Sequence, residues 1–270
     1  MTETTAHAKI NLALVVGPQR ADGKHEVLTV LQRLDLADRV ALEPAPSTVV
    51  EGFAGDTLVR DALASLAAHA GYSRGWRAMI AKRIPVAAGL GGGSSDAAAA
   101  LRLANATLPR PLPAAELHAL ARAFGADVPF FLSEGSQLGS GEGSDLEPLA
   151  LPQDYTVVLV IPHGVRKEST AAVYREFDRR DGAEGFDERR ESLRQALQEI
   201  VNARDLNRLP PNDLASSPIA SQLRRLGALR ADVSGAGPTV YGLFHERAAA
   251  TVAARELGDV GATLLASPAW

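Results

Sequence analysis

The chain has 270 residues, 46% of them hydrophobic, and a net charge of -4, which is ample for one large or two medium cores and excludes global disorder. The absence of cysteine excludes a disulfide framework, a thiol nucleophile and a cysteine metal site, and the mild acidity excludes a broad nucleic-acid surface. No apolar run approaches the ~20 residues of a spanning helix, and Met1–Lys9 lacks an apolar signal core, so the expectation is a cytoplasmic protein with no membrane partner.

Residues 6–16 alternate, with Ile10, Leu12 and Leu14 on one face and His7, Lys9 and Asn11 on the other, which predicts a half-buried strand. Pro18–Lys24 reads as a polar turn, and Val27–Leu34 and Arg39–Leu42 as two further strands. Thr57–Ala70 carries a helical stripe stopped by Gly71, and Ala78–Ile84 reads as a short strand ended by Pro85. Helices are predicted over Ser94–Ala106 and Ala114–Phe124, followed by a glycine- and serine-rich loop at Gly135–Gly143. Pro148 and Pro152 flank a linker near 146–154, which places the boundary of two domains, 1–150 and 151–270. Beyond it come a strand at 155–161, helices near 168–179 and 187–203, strands at Leu229–Val233 and Val240–Phe244, a helix at Glu246–Leu257 and a strand at Gly261–Leu265. Helices mixed with largely antiparallel strands define an α+β protein.

The chemistry concentrates in Pro85-Val-Ala-Ala-Gly-Leu-Gly-Gly-Gly-Ser-Ser95 and the alanine-rich helix after it. Glycines let a backbone approach a ligand closely, and the unpaired N–H groups of a helix's first turn suit an anion, above all a phosphate. The phosphate loop of the G-x-x-x-x-G-K-[ST] kind is excluded, because no lysine follows the glycines. The dinucleotide fingerprint fails at its third glycine, where Ser94 stands, and Pro85 separates the strand from the loop. Ser94 and Ser95 also fit a plain role as helix caps, and Gly235 and Gly237 a plain tight turn.

The pattern P-x-x-x-G-L-G-G-G-S-S at 85–95 resembles the signature of the GHMP small-molecule kinases, named for galactokinase, homoserine kinase, mevalonate kinase and phosphomevalonate kinase. Ala8-Lys-Ile-Asn-Leu12 is similar to that family's N-terminal motif and Ser234-Gly-Ala-Gly-Pro-Thr239 to its C-terminal glycine motif, in the family's order over most of the chain. Arg20-Ala-Asp-Gly-Lys-His25, Gly125-Ala-Asp-Val-Pro-Phe130 and Asn212-Asp-Leu214 point to the branch whose acceptor is a cytidine-diphosphate sugar alcohol of the methylerythritol route to isoprenoids. The resemblance implies a two-domain α+β fold of the GHMP-kinase type with the active site in the cleft between domains. It implies an ATP-binding N-terminal domain, ATP as phosphoryl donor with Mg²⁺ carried by the nucleotide, a small-molecule acceptor, and a monomer or weak homodimer.

Residue by residue, the resemblance makes Lys9 and Asp127 catalytic. Lys9 would lower the acceptor hydroxyl's pKa and stabilise developing charge, and Asp127 would accept its proton. Periodicity alone leaves Lys9 and Asn11 on a solvated strand face and makes Asp127 an N-cap. Pro85, Val86, Ala87, Ala88, Gly89, Leu90, Gly91, Gly92, Gly93, Ser94 and Ser95, with Gly235 and Gly237, would bind the nucleotide, one serine hydroxyl reaching Mg²⁺; no protein metal site is expected. Asn11, His25, Thr170 and Tyr174 would bind the substrate, His25 by hydrogen bonds to cytosine and Tyr174 by stacking on it. Asp96 is read as structural, and the charged runs 178–184 and 187–191 as solvated faces. Where the family carries tyrosine before the histidine, this chain has Lys24; where it carries asparagine near the adenine, this chain has Thr57; and Arg166 and Lys167 lengthen the segment after Gly164. The competing readings are a GHMP kinase for homoserine or a mevalonate derivative, and a nucleotide-binding sensor without turnover.

Overall fold

The computed structural model describes residues 1–53, 57–165 and 169–269. Packing divides the chain into two compact units, each discontinuous in sequence. The first unit comprises Met1–Ala8, Leu36–Val86 and Gly91–Glu134; the second comprises Lys9–Asp35, Ala87–Leu90 and the chain from Gly135 onward.

Two long strands, β1 (Thr2–Gln19) and β2 (His25–Ala45), contribute residues to both units. In the first unit β2 pairs through Arg39–Ala45 with antiparallel β4 (Gly75–Ala81), and β4 pairs in parallel with the short β3 (Val49–Glu51). Helices α1 (Thr57–His69), α2 (Gly92–Thr107), α3 (Ala114–Arg122) and α4 (Asp127–Leu132) complete this unit, α2 packing on α1 and α4. Ala97, Ala98, Ala99 and Ala100 of α2 are all buried: small side chains let its neighbours approach on several faces at once. The indole of Trp76 in β4 donates to Thr107 Oγ1 at the far end of α2 (2.7 Å).

In the second unit β2 pairs through Thr29–Leu31 with β5 (Ser136–Ser140), which forms a hairpin with β6 (Asp145–Leu149). A four-stranded antiparallel sheet follows in the order β10-β7-β9-β8, from β7 (Thr156–Pro162), β8 (Arg230–Val233), β9 (Val240–Phe244) and β10 (Gly261–Ala266). Val158, Val160 and Phe244 pack there against Leu223 of α7 (Pro218–Arg225) and Ala250 and Ala253 of α8 (Arg247–Glu256). A second cluster gathers Leu14 and Val16 of β1, Val27 of β2, Leu214 and Phe177 of α5 (Thr170–Arg179), which precedes α6 (Phe186–Gln198). No helix among the described residues is long and apolar enough to cross a membrane.

Several expected boundaries are corrected. Val27–Leu34 and Arg39–Leu42 belong to one strand, because the polar residues that interrupt the apolar pattern find partners alongside it. Asp35 exchanges backbone and side-chain hydrogen bonds with Ser267, and Asp38 accepts the N–H groups of Arg83 and Ile84. Those two N–H groups therefore face a carboxylate rather than a neighbouring strand, and β4 stops at Ala81 instead of Ile84. Gly135–Gly143 is largely hairpin rather than loop: a Cβ on Gly139 would stand 2.7 Å from the Gly143 carbonyl oxygen, so glycine is what lets the backbones meet. Pro148 of the expected linker lies in edge strand β6, opposite Gln137, where a missing N–H is tolerated. The helix expected over 187–203 ends at Gln198, and a separate 3₁₀ turn, Ala203–Arg208, starts at an Asn202–Asp205 capping box.

Candidate active site

Helix α2 begins at Gly92, and its cap position is Gly91, in a left-handed conformation (φ 71°) with no side-chain cap. The first-turn amides of Gly92, Gly93 and Ser94 therefore open from the helix end, where the dipole favours an anion. The reading of Ser94 and Ser95 as caps is corrected: both lie inside the helix, Ser95 buried and Ser94 half-buried, and the Ser95 N–H already donates to the Gly91 carbonyl. A Cβ on Gly93 would meet nothing within 4 Å, so the glycine there leaves open space at the helix end.

The segment Ala87–Leu90 is bound to the Ser234–Thr239 turn. Thr239 donates to the Ala88 carbonyl through its hydroxyl (2.6 Å) and its N–H (3.2 Å), and the Ser234 hydroxyl donates to the Gly89 carbonyl (3.2 Å). Gly89 has φ 81°, and a Cβ on it would lie 2.6 Å from the Gly237 carbonyl oxygen. The turn is itself held by Asn212, whose buried amide donates to the carbonyls of Val233 (2.9 Å) and Gly235 (2.7 Å) and accepts the Leu214 N–H.

Lys9 enters the same cluster. Its N–H donates to the Leu90 carbonyl (3.0 Å), and its ammonium donates to Asn11 Oδ1 at 2.7 Å. Asn11 donates in turn to Thr29 Oγ1 (2.8 Å), whose hydroxyl donates to the Ala13 carbonyl. A Cβ on Gly235 would stand 3.2 Å from Asn11 Oδ1 and 3.6 Å from Lys9 Nζ, so the turn passes directly over these side chains. The strand-face reading is thereby corrected: Lys9 is 4% exposed and Asn11 6%, because Ser234–Thr239 covers the face that alternation left polar. Tyr241 ties the strand from the sheet side, its hydroxyl donating to the Leu12 carbonyl (3.2 Å); burial pushes that hydroxyl's pKa up to about 12.

Asp127 opens α4 and is half-buried. It is not an N-cap, since Ala126 holds that position and no side chain caps the helix. Gly125, at φ 134°, supplies the chain reversal before it, and its carbonyl accepts the Val128 N–H.

His25 begins β2 and is buried. Its Nε2 lies 2.8 Å from Asp178 Oδ1, its ring stacks on Tyr174 at 4.8 Å, and Phe177 meets it edge-on. Lys24 points its ammonium to Glu142 (3.5 Å) and is exposed. Thr170 is the exposed first residue of α5, after the Ser169 cap. Arg166 and Lys167 lie outside the described residues.

Three further features, in one unit or the other, escape motif reading. Lys82 bridges two fully buried carboxylates, Asp38 at 2.5 Å and Asp96 at 2.7 Å, and stands where a Cβ on Gly92 would come within 3.3 Å of Nζ. Burial lowers the Lys82 pKa, but the hydrogen bonds and charges of both carboxylates outweigh it and hold the ammonium above its usual range. Asp178 belongs to a run read as solvated. So does the neighbourhood of Arg189, which holds Asp213 (3.0 Å) and the carbonyls of Val16 and Gly182. The side chain of Asp213 also accepts the Val16 N–H. Of these, only Lys82 carries a local sequence signal, as half of the Lys82-Arg83 pair just before the glycine loop.

Residues 57–135 match the GHMP kinases N terminal domain and residues 187–263 the GHMP kinases C terminal domain. A 4-diphosphocytidyl-2-C-methyl-D-erythritol kinase of Anaeromyxobacter sp. (strain Fw109-5) is 40% identical, the match covering 95% of this chain and 87% of the relative. The enzyme of that name from Gloeobacter violaceus is 38% identical, over 96% of this chain and 91% of the relative. A crystal structure of 4-(cytidine 5'-diphospho)-2C-methyl-D-erythritol kinase aligns with a TM-score of 0.79 and 33% identity over the whole of both chains. A crystal structure of mevalonate kinase aligns with a TM-score of 0.77 at 13% identity, over 100% of this chain and 99% of that one, which is likeness of fold. Fold and glycine motifs together define a GHMP kinase. The chain belongs, within that class, to the family of 4-diphosphocytidyl-2-C-methyl-D-erythritol kinases.

Proposed function

We infer that the protein transfers a phosphoryl group from ATP to a hydroxyl of 4-(cytidine 5'-diphospho)-2-C-methyl-D-erythritol, in the methylerythritol phosphate route to isoprenoids. The observation that carries this reading is the meeting of three distant motifs in one hydrogen-bonded cluster: Lys9 and Asn11, Ala88–Leu90, and Ser234–Thr239. Relatives that share most of the chain's length bear the name of this kinase, whereas the mevalonate and homoserine kinase structures share 13–17% identity and support the fold alone.

In the proposed mechanism the first-turn amides of α2 bind phosphate oxygens, with Pro85–Ser95, Gly235 and Gly237 shaping the nucleotide site. Gly89 fits this role, since the absence of its Cβ is what keeps the loop against Gly237. Ser94, half-buried in the first turn of α2, would offer its hydroxyl to Mg²⁺ carried by the nucleotide, which would supply neutralisation of phosphate charge. Lys9, oriented by Asn11, lowers the acceptor hydroxyl's pKa and stabilises the charge that develops on it. Asp127 accepts the hydroxyl proton, a task a weak carboxylate base can perform because phosphoryl transfer is mainly positioning and charge neutralisation. His25, Thr170 and Tyr174 take the cytidine side. The two family segments fall on either side of residue 150, which supports an N-terminal ATP-binding half, 1–150, and a C-terminal half, 151–270. The proposed setting is the cytoplasm, where ATP is available.

Saturation kinetics with ATP test the acceptor. A far lower KM is expected for the cytidylylated substrate than for the bare sugar alcohol; a KM above that of the bare alcohol contradicts the assignment.

A further inference from the structure

His25 is held on three sides by one face of α5. Tyr174, Phe177 and Asp178 stand at i, i+3 and i+4, the spacing that places side chains together on a helix surface. Tyr174 covers one face of the imidazole with the rings 29° apart, Phe177 meets it at 87°, and Asp178 takes Nε2. The side chain of His25 is only 6% exposed, so this clamp leaves the ring little freedom to turn over.

A carboxylate at this distance accepts and does not donate, so Nε2 carries the hydrogen. In a neutral imidazole the second nitrogen, Nδ1, then presents a lone pair. A nucleobase amine can donate to that lone pair; a nucleobase carbonyl placed there meets it acceptor to acceptor. Cytosine and uracil differ in this respect at their fourth ring position, one bearing an amine and the other a carbonyl.

We propose that Asp178 is a specificity-determining positioning residue: by accepting the Nε2–H of His25 it fixes the ring orientation and tautomer that select a cytosine-type amine over a uracil-type carbonyl. This rests on the reading that His25 faces the base of a cytidine-diphosphate acceptor. It assigns a purpose to a carboxylate inside a charged run, and it offers base discrimination in a chain whose Lys24 ammonium is turned toward Glu142.

The test uses the full chain, with the cytidylylated acceptor, its uridylylated analogue and the bare sugar alcohol. For wild type, ¹⁵N NMR of the His25 ring is expected to show Nε2 protonated and Nδ1 bare. Asp178→Ala is expected to raise KM for the cytidylylated acceptor and to shrink the cytidylyl-to-uridylyl ratio of kcat/KM, each about tenfold. Its kcat and its KM for ATP stay within about twofold. Asp178→Asn, whose amide oxygen can still accept, recovers most of the ratio. A proton on Nδ1 in wild type, or a ratio unchanged in Asp178→Ala, overturns the proposal while leaving the acceptor assignment intact. A wild-type enzyme that uses the bare alcohol as well as the cytidylylated one removes the base site and overturns both.

Discussion

Lys9 and Lys82 are cations with different partners. Lys9 donates to a neutral partner, Asn11, under the Ser234–Thr239 turn. Lys9→Ala and Asp127→Ala are each expected to cut kcat by about 10²–10⁴ while circular dichroism and melting remain those of a folded protein; full turnover in both would remove the catalytic assignment. Lys82 is committed to Asp38 and Asp96, and Lys82→Met leaves two buried carboxylates without their cation, at a cost of about 3 kcal/mol in denaturant unfolding. The pH dependence of that cost has a definite sign. Because pairing raises the folded-state pKa above the usual 10.5, the stabilisation is fully present below that pH and is lost as pH rises through the folded value. The gap between wild type and Lys82→Met should therefore be flat from pH 7 to 10 and narrow above; a gap that stays unchanged as pH rises well beyond the usual lysine range would place its origin elsewhere.

At the scale of elements, the glycine loop is two structures joined at Gly91: an extended piece, Ala87–Leu90, fastened to a distant turn, and a helix start. Gly89→Ala must push back the Gly237 carbonyl and adopt φ 81°, so it is expected to cost about 2 kcal/mol of stability. It should also raise the KM for ATP with little change in the KM for the acceptor. Equal KM values for ATP would show that the loop does not meet the nucleotide. Periodicity and stop signals revealed most of these elements, α1, α2, β7 and β9 among them, because their patterns are local. What it missed depends on partners far along the chain. The polar face of β1 is covered by residues some 220 positions later, as the Gly235 approach to Lys9 and Asn11 shows. The break expected between Leu34 and Arg39 closes because Ser267 and the Arg83–Ile84 backbone supply hydrogen bonds that no nearby residue announces. Likewise Asp178 looked like one charge among many until α5 brought it to His25.

For the whole molecule, chain order and spatial organisation diverge. The first unit takes the beginning of β1, the end of β2 and the helices through Glu134, and the second takes the rest together with the four residues Ala87–Leu90. Sequence motifs were legible because each is a short run, whereas units assembled from interleaved pieces leave no linker to read. The account's central claim concerns the reaction, and ADP release under saturating ATP tests it most directly, across cytidylylated methylerythritol, homoserine, mevalonate and galactose. The account predicts turnover with the cytidylylated substrate and only background with the other three. Turnover with homoserine or mevalonate and none with the cytidylylated substrate would contradict it.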